Sequence, residues 1–131
     1  MRWLVVYLAT LVAFAVVDFV WLGLAAKDFY RAGIGHLMGS GFNIPAAVAF
    51  YLIYTAGLLF FAVNPAVEHG DWQRAIGLGA AFGFFAYATY DLTNLATLKD
   101  WPLNVALADM AWGAALSGAA ALVGYAVAAR F

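Results

Sequence analysis

Three aspartates stand inside long apolar segments of this chain, and their carboxyl groups are the first candidates for chemistry. They are Asp18, Asp91 and Asp109, and each has mainly hydrophobic residues on both sides. Asn94 follows Asp91 closely, so that its amide and the carboxylate lie on one side of a helix. Because an ionisable group within a membrane segment is costly, it is by default a candidate functional residue.

The composition identifies the class of protein in which these acids lie. Of the 131 residues, 67% are hydrophobic and only 10% are charged, which is too little charged surface for a water-soluble domain. We therefore expect an integral membrane protein. The formal net charge of −1 gives no electrostatic basis for nucleic acid binding. The chain contains no cysteine, which excludes disulfides, thiolate metal sites and cysteine nucleophiles, and we expect no metal or cofactor.

Four apolar segments are long enough to cross about 30 Å of hydrocarbon as helices, at about 1.5 Å per residue. They predict an all-α membrane protein, a bundle of four transmembrane helices that forms a single domain over residues 1–131. The helices are predicted at about residues 3–26, 44–63, 74–98 and 103–129. Asn64 and Pro65 are predicted to end the second helix. The short turn Lys99–Pro102 makes the last two helices antiparallel neighbours.

Between the first two helices, residues 27–43 read as a polar loop that lies flexibly at the membrane interface. Its glycines superficially resemble a phosphate-binding loop, but no strand precedes them, as a dinucleotide fingerprint would require. Tyr30 in this loop and Trp101 in the later turn are expected in an aromatic belt at the same interface.

The helices bring the acids to one depth. Counted from the end of each helix nearest the 27–43 loop, all three acids lie roughly 10–12 Å below that face of the bundle. Tyr51 reaches the same level, and aromatic residues stand about one helical turn from each aspartate. The predicted ligand-binding residues are Asp18, Trp21, Tyr51, Tyr87, Asp91, Asn94 and Asp109.

No lysine or arginine lies within a helix interior to neutralise these acids. Three carboxylates in one layer of low dielectric constant cannot all be charged at once. The layer therefore needs protons, a cation, a cationic ligand, or basic side chains that fold down from the loops. The basic candidates are Lys27, Arg31, His36 and Lys99.

Small residues predict close contact between the last two helices. They recur at every fourth position, a spacing that lets two backbones approach when lipid removes the hydrophobic drive for association. The residues are Ala75, Gly79 and Gly83 on one helix and Gly113, Ser117 and Ala121 on the other.

The sequence also resembles a known family. The string Tyr87-Ala-Thr-Tyr-Asp-Leu-Thr-Asn-Leu-Ala-Thr-Leu-Lys-Asp-Trp-Pro102, followed by Asp109-Met-Ala-Trp-Gly113, is similar to that of a bacterial family of short, four-helix membrane proteins of unknown function. The resemblance extends over the whole chain, including Asp18-Phe-Val-Trp-Leu-Gly23 and Tyr30. It implies a bacterial inner membrane location and a four-helix fold, but no activity. Members look as if they accompany lipid-modifying enzymes, which favours a lipid-related role.

Several functions remain open at this point. The leading hypothesis is a polar site that binds a lipid head group or small amphiphile, in a carrier or in an accessory to lipid modification. The alternatives are a proton-coupled exporter of dual topology, a non-catalytic subunit or assembly factor of a larger membrane complex, and a purely structural acid network. Enzyme activity through Asp91 and Asp109 is supported only by the chemistry that carboxylates can do.

Partners and topology follow from the same features. We expect membrane lipids as partners, together with a homo-oligomer or a larger membrane complex. Basic residues flank both faces in equal number, and the terminal amine slightly favours cytoplasmic termini.

Overall fold

The computed structural model describes residues 1–39, 41 and 43–131, and these residues form helices joined by short connections. No strand occurs within the described ranges. The α-helices in the described residues are α1 (Arg2–Val20), α2 (Lys27–Ile34), α3 (Ile44–Leu58), α4 (Asn64–His69), α5 (Trp72–Thr97) and α6 (Leu103–Ala128). π-Helical turns follow α1 (Trp21–Ala25) and α3 (Leu59–Val63), and a 3-10 turn (Gly35–Leu37) follows α2.

Three of these helical stretches are long and apolar enough to cross a membrane, and they confirm the prediction of an all-α membrane protein. They are Arg2–Ala25, Ile44–His69 and Leu103–Ala128. Helix α5 has the same length as α6, 26 residues, but it is not among the three. Glycines, Asp91 and Asn94 interrupt its apolar character.

The prediction that Asn64 and Pro65 end the second helix is wrong. The chain remains helical through α4 and stops at Gly70, which adopts a left-handed conformation with φ of 63°. A proline inside a helix lacks an N–H and clashes with the turn before it. Here a wider π-helical turn ends at Val63, so that Pro65 falls in the first turn of α4, where a proline is tolerated. The other predicted helix ends lie within two residues of the observed ones.

The predicted flexible loop at residues 27–43 is helical over most of its first part. Helix α2 exposes its charged side chains and buries Tyr30, so it is an amphipathic surface helix rather than a flexible segment. Gly33 allows α2 to approach the start of α6, since a Cβ there would overlap the Val105 side chain. Ser40 and Phe42 of this predicted loop lie outside the described residues.

Helices α5 and α6 pack closely along the predicted small residues. A Cβ added at Gly79 would lie only 2.7 Å from the Cβ of Ala121, and one at Gly83 would overlap the Gly113 carbonyl and the Ser117 side chain. The two backbones are therefore in near contact, and this packing fixes the position of the polar end of α5 against α6.

Candidate functional site

Asp18 is buried on α1 and receives hydrogen bonds on both carboxylate oxygens. The hydroxyl of Tyr51 donates to Oδ2 at 2.8 Å, and Nε1 of Trp112 donates to Oδ1 at 3.2 Å. The donors come from α3 and α6, so that one carboxylate joins three helices through aromatic side chains. The predicted proximity of Asp18 and Tyr51 is present in the structure.

A second aspartate, Asp109, is connected to the first through Trp21 and Tyr30. The ring of Trp21 stacks on that of Trp112, with centroids 4.4 Å apart and planes at 13°. Nε1 of Trp21 donates to the Tyr30 hydroxyl at 3.1 Å, and that hydroxyl donates to Oδ1 of Asp109 at 2.9 Å. We call the connected side chains the aromatic–acid chain; they are Tyr51, Asp18, Trp112, Trp21, Tyr30 and Asp109.

Asp91 lies next to the end of this chain and has no hydrogen-bond donor. It is 0% exposed, and neither of its carboxylate oxygens has a partner among the described residues. The carboxyl group of Asp109 lies close to it. We call Asp91 and Asp109 the acid pair. A buried carboxylate without a donor is costly, so the pair requires a proton or a positively charged group.

Tyr30 keeps its proton because of its surroundings. Burial raises the pKa of the Tyr30 phenol above its ordinary value, and the hydrogen bond to Asp109 acts in the same direction. The hydroxyl therefore remains a donor to Asp109 over the ordinary pH range. This side chain was expected in an interfacial belt with Trp101, but both residues are buried, at 6% and 8% exposure.

The remaining predicted site residues stand at the edge of this arrangement. The ring of Tyr87 lies directly against Gly113, where a side chain on α6 would displace it. Asn94 is half-buried and its amide lies near Tyr90. Asp18, Trp21, Tyr51, Asp91 and Asp109 are thus brought together, whereas Tyr87 packs nearby and Asn94 has no hydrogen bond to them among the described contacts.

Two further members of the site, Tyr30 and Trp112, were not among the predicted site residues. Trp112 follows Asp109 by three positions on α6, and this spacing predicts that both side chains lie on one face of the helix. Tyr30 gave no such signal, because the segment around it reads as a loop. A separate hydrogen bond of 2.6 Å between the Tyr54 and Ser117 hydroxyls lies deeper in the bundle.

The basic residues of the connections do not reach the acids. Lys27, Arg31, His36 and Lys99 are exposed, and within the described residues none of them forms an ion pair with the buried carboxyls. The described residues also contain no group of three or more acidic or histidine side chains placed to hold a metal ion.

Two surface grooves accompany the helices, and both are apolar. The larger, of about 660 Å³, lies along α5 and α6, and the smaller, of about 580 Å³, lies along α1 and α6. Neither groove is lined by an acidic residue. Tyr30 of α2 instead contacts Asp109, which is half-buried.

Apolar spanning helices around buried acids define an integral membrane protein. The chain belongs to the family of predicted membrane proteins designated DUF2177, whose model matches residues 3–126. This match confirms the family resemblance, and the family is one of unknown function. No curated protein and no solved structure matches the chain significantly.

Proposed function

We propose that this protein binds a lipid head group or small amphiphile at the acid pair, and acts as a carrier or as an accessory to lipid modification. The observation that carries the proposal is Asp91. Its carboxyl group is fully buried, has no donor among the described residues, and faces a second carboxyl group. Such a group is retained at a cost in stability, which is typical of functional sites.

The proposal includes a fourth membrane span, helix α5, in the inner membrane of a bacterium. Its 26 residues extend for roughly 39 Å at about 1.5 Å per residue, which is enough to cross the hydrocarbon. Gly79 and Gly83 face α6, and Asp91 is buried. These three residues are therefore turned away from lipid, which supports a span in spite of the composition of the helix.

The depth of the acid pair suits a ligand that comes from the membrane surface. Asp91 precedes the end of α5 at Thr97 by six residues, which is roughly 9 Å at about 1.5 Å per residue. Asp109 follows the start of α6 at Leu103 by the same number. A group at this depth meets the boundary between head groups and acyl chains. In our proposal both termini lie in the cytoplasm, and the ligand enters from the opposite face.

The experiment is to purify the protein in a mild detergent and to identify co-purified lipids by native mass spectrometry. We expect a bound lipid or amphiphile in the wild type and its loss in Asp91→Asn, which changes charge but hardly any volume. Asp100→Asn is the matched control, because Asp100 is exposed at the same end of the molecule. Its φ of 64° is one that asparagine tolerates. Equal occupancy in all three proteins would make the acid pair structural.

A second candidate is a proton-coupled exporter of dual topology, formed by two copies of the chain. Two neighbouring carboxyl groups are suited to bind and release a proton, which favours this function. Basic residues also flank both faces equally, as dual topology requires. Reporter fusions at Phe131 test it, since a single orientation of that terminus excludes the dual-topology exporter.

A further inference from the structure

We infer that the ligand of the acid pair carries a protonated primary amine, which replaces the proton shared by Asp91 and Asp109. The inference rests on the function proposed above and specifies the chemistry of the ligand. Its starting point is geometric. A fully buried carboxyl group without a donor faces a second carboxyl group that has a donor on one oxygen.

The sign of the ligand's charge follows from the groups that surround the acid pair. The titratable groups that interact with the pair or connect to it are Tyr30 on α2, Tyr87 and Tyr90 on α5, Asp18 on α1 and Tyr51 on α3. None of them is basic. An anionic phosphate would meet two carboxyl groups, one of them fully buried, without a counter-charge, whereas a cation completes the site.

The number of free acceptors indicates which cation fits. Both oxygens of Asp18 are already hydrogen-bonded, and Oδ1 of Asp109 accepts from Tyr30. Both oxygens of Asp91 are free of donors. A primary ammonium group has three N–H donors, enough to serve Asp91 and Asp109 together. A quaternary ammonium group has none, and can use only its charge and the aromatic faces nearby.

Charge conservation explains why the amine replaces the proton instead of joining it. Without ligand, one carboxyl O–H donates to the other carboxylate, and the pair carries a single negative charge. When the ammonium group binds, it donates N–H groups to both carboxylates. The carboxyl O–H bond breaks and its proton leaves to water. Two carboxylates and one ammonium again carry a single negative charge, so the low-dielectric site does not change its charge.

The amine has two possible sources, the head group of an ethanolamine lipid or a free amphiphilic amine. We would place the full chain in nanodiscs of phosphatidylcholine, whose head group is quaternary, and count bound molecules by native mass spectrometry. The probes are dodecylamine, dodecyltrimethylammonium and a fraction of phosphatidylethanolamine. A pH indicator in weak buffer measures proton release.

We expect dodecylamine or phosphatidylethanolamine to bind at least about tenfold more tightly than dodecyltrimethylammonium, because only they donate to the carboxylates. About one proton should be released for each amine bound. Asp91→Asn and Asp109→Asn should abolish the preference for the primary amine, and Asp100→Asn should keep it. Which of the two primary amines binds identifies the source.

Equal binding of primary and quaternary probes would overturn the inference, and so would binding without proton release. The comparison of the probes on the wild-type protein tests the inference even if a variant fails to fold. Failure of the proposed function looks different, because then no lipid co-purifies and none of the probes binds above the level of empty nanodiscs. A co-purified lipid without an amine leaves the proposed function standing and removes the ammonium ligand.

Discussion

The hydroxyl of Tyr30 on the surface helix α2 donates to Oδ1 of Asp109 on α6 at 2.9 Å, across 79 positions of sequence. The same hydroxyl accepts from Nε1 of Trp21 at 3.1 Å. One phenol therefore connects the surface helix both to the end of the first span and to the acid pair. In this arrangement Tyr30 attaches α2 to the site.

Tyr30→Phe should loosen the attachment of α2. The change leaves Asp109 without its donor and Trp21 without its acceptor, which should lower the free energy of unfolding by about 1–3 kcal/mol. Amide hydrogen exchange in α2 should rise more than in α6. Tyr125→Phe is the control, since no hydrogen bond of the Tyr125 hydroxyl is present among the described contacts. If both variants match the wild type, the contact does not hold α2.

Stability should fall as the pH rises above about 10, where an unfolded tyrosine loses its proton. Burial raises the pKa of folded Tyr30, so the folded state keeps a proton that the unfolded state releases. The unfolded state then binds fewer protons, and the free energy of unfolding decreases with pH. This contribution is intact below about pH 10 and is absent in Tyr30→Phe. Thermal unfolding of the wild type and the variant in detergent, between neutral and alkaline pH, measures this contribution. An unchanged alkaline slope in the variant would contradict it.

Gly83→Ala should destabilise the α5–α6 packing. The new methyl group would overlap the carbonyl of Gly113 and the side chain of Ser117, and such overpacking costs about 1–3 kcal/mol. Gly77→Ala is the matched control on the same helix, because nothing lies within 4 Å of a Cβ at that position. It should change stability by at most about 1 kcal/mol. Melting temperatures of the two variants test the contact, and equal values would argue against it.

The sequence predicted the long helices well because each carries a simple signal. Uninterrupted apolar length gave the spans, and the four-residue spacing of Gly79, Gly83 and Ser117 gave the α5–α6 contact. The continuation past Pro65 was missed because the π-helical turn before it has no sequence signature. Helical counting placed the acids at one depth, since depth depends only on the rise per residue.

The details of the site were harder to predict, because they depend on side chains that meet across helices. The depth of a residue in the membrane does not show that Asp18 receives two hydrogen-bond donors while Asp91 receives none. Nor does it reveal Tyr30, which reaches the acids from a segment too polar and too rich in glycine to read as a helix. Asn94 was assigned to the site by its spacing from Asp91, but in the structure its amide lies near Tyr90.

The two buried aspartates Asp18 and Asp91 should respond oppositely to the same substitution. An amide accepts hydrogen bonds on one atom only, so Asp18→Asn turns an N–H group towards the donor of Tyr51 or Trp112. It should lower the free energy of unfolding by about 1–3 kcal/mol. Asp91→Asn instead supplies an N–H donor for the Asp109 oxygen that does not accept from Tyr30, and removes one of two adjacent acidic groups. It should therefore keep or raise the melting temperature.

Measuring both variants in one detergent at neutral pH tests this contrast, with Asp100→Asn as the exposed control. A stabilised Asp91→Asn protein that no longer binds its ligand would show that the wild-type residue is kept for function, because a carboxyl group that lowers stability needs another reason to be present. Equal destabilisation by Asp18→Asn and Asp91→Asn would mean instead that Asp91 has a structural donor. The acid pair would then no longer indicate a ligand-binding site.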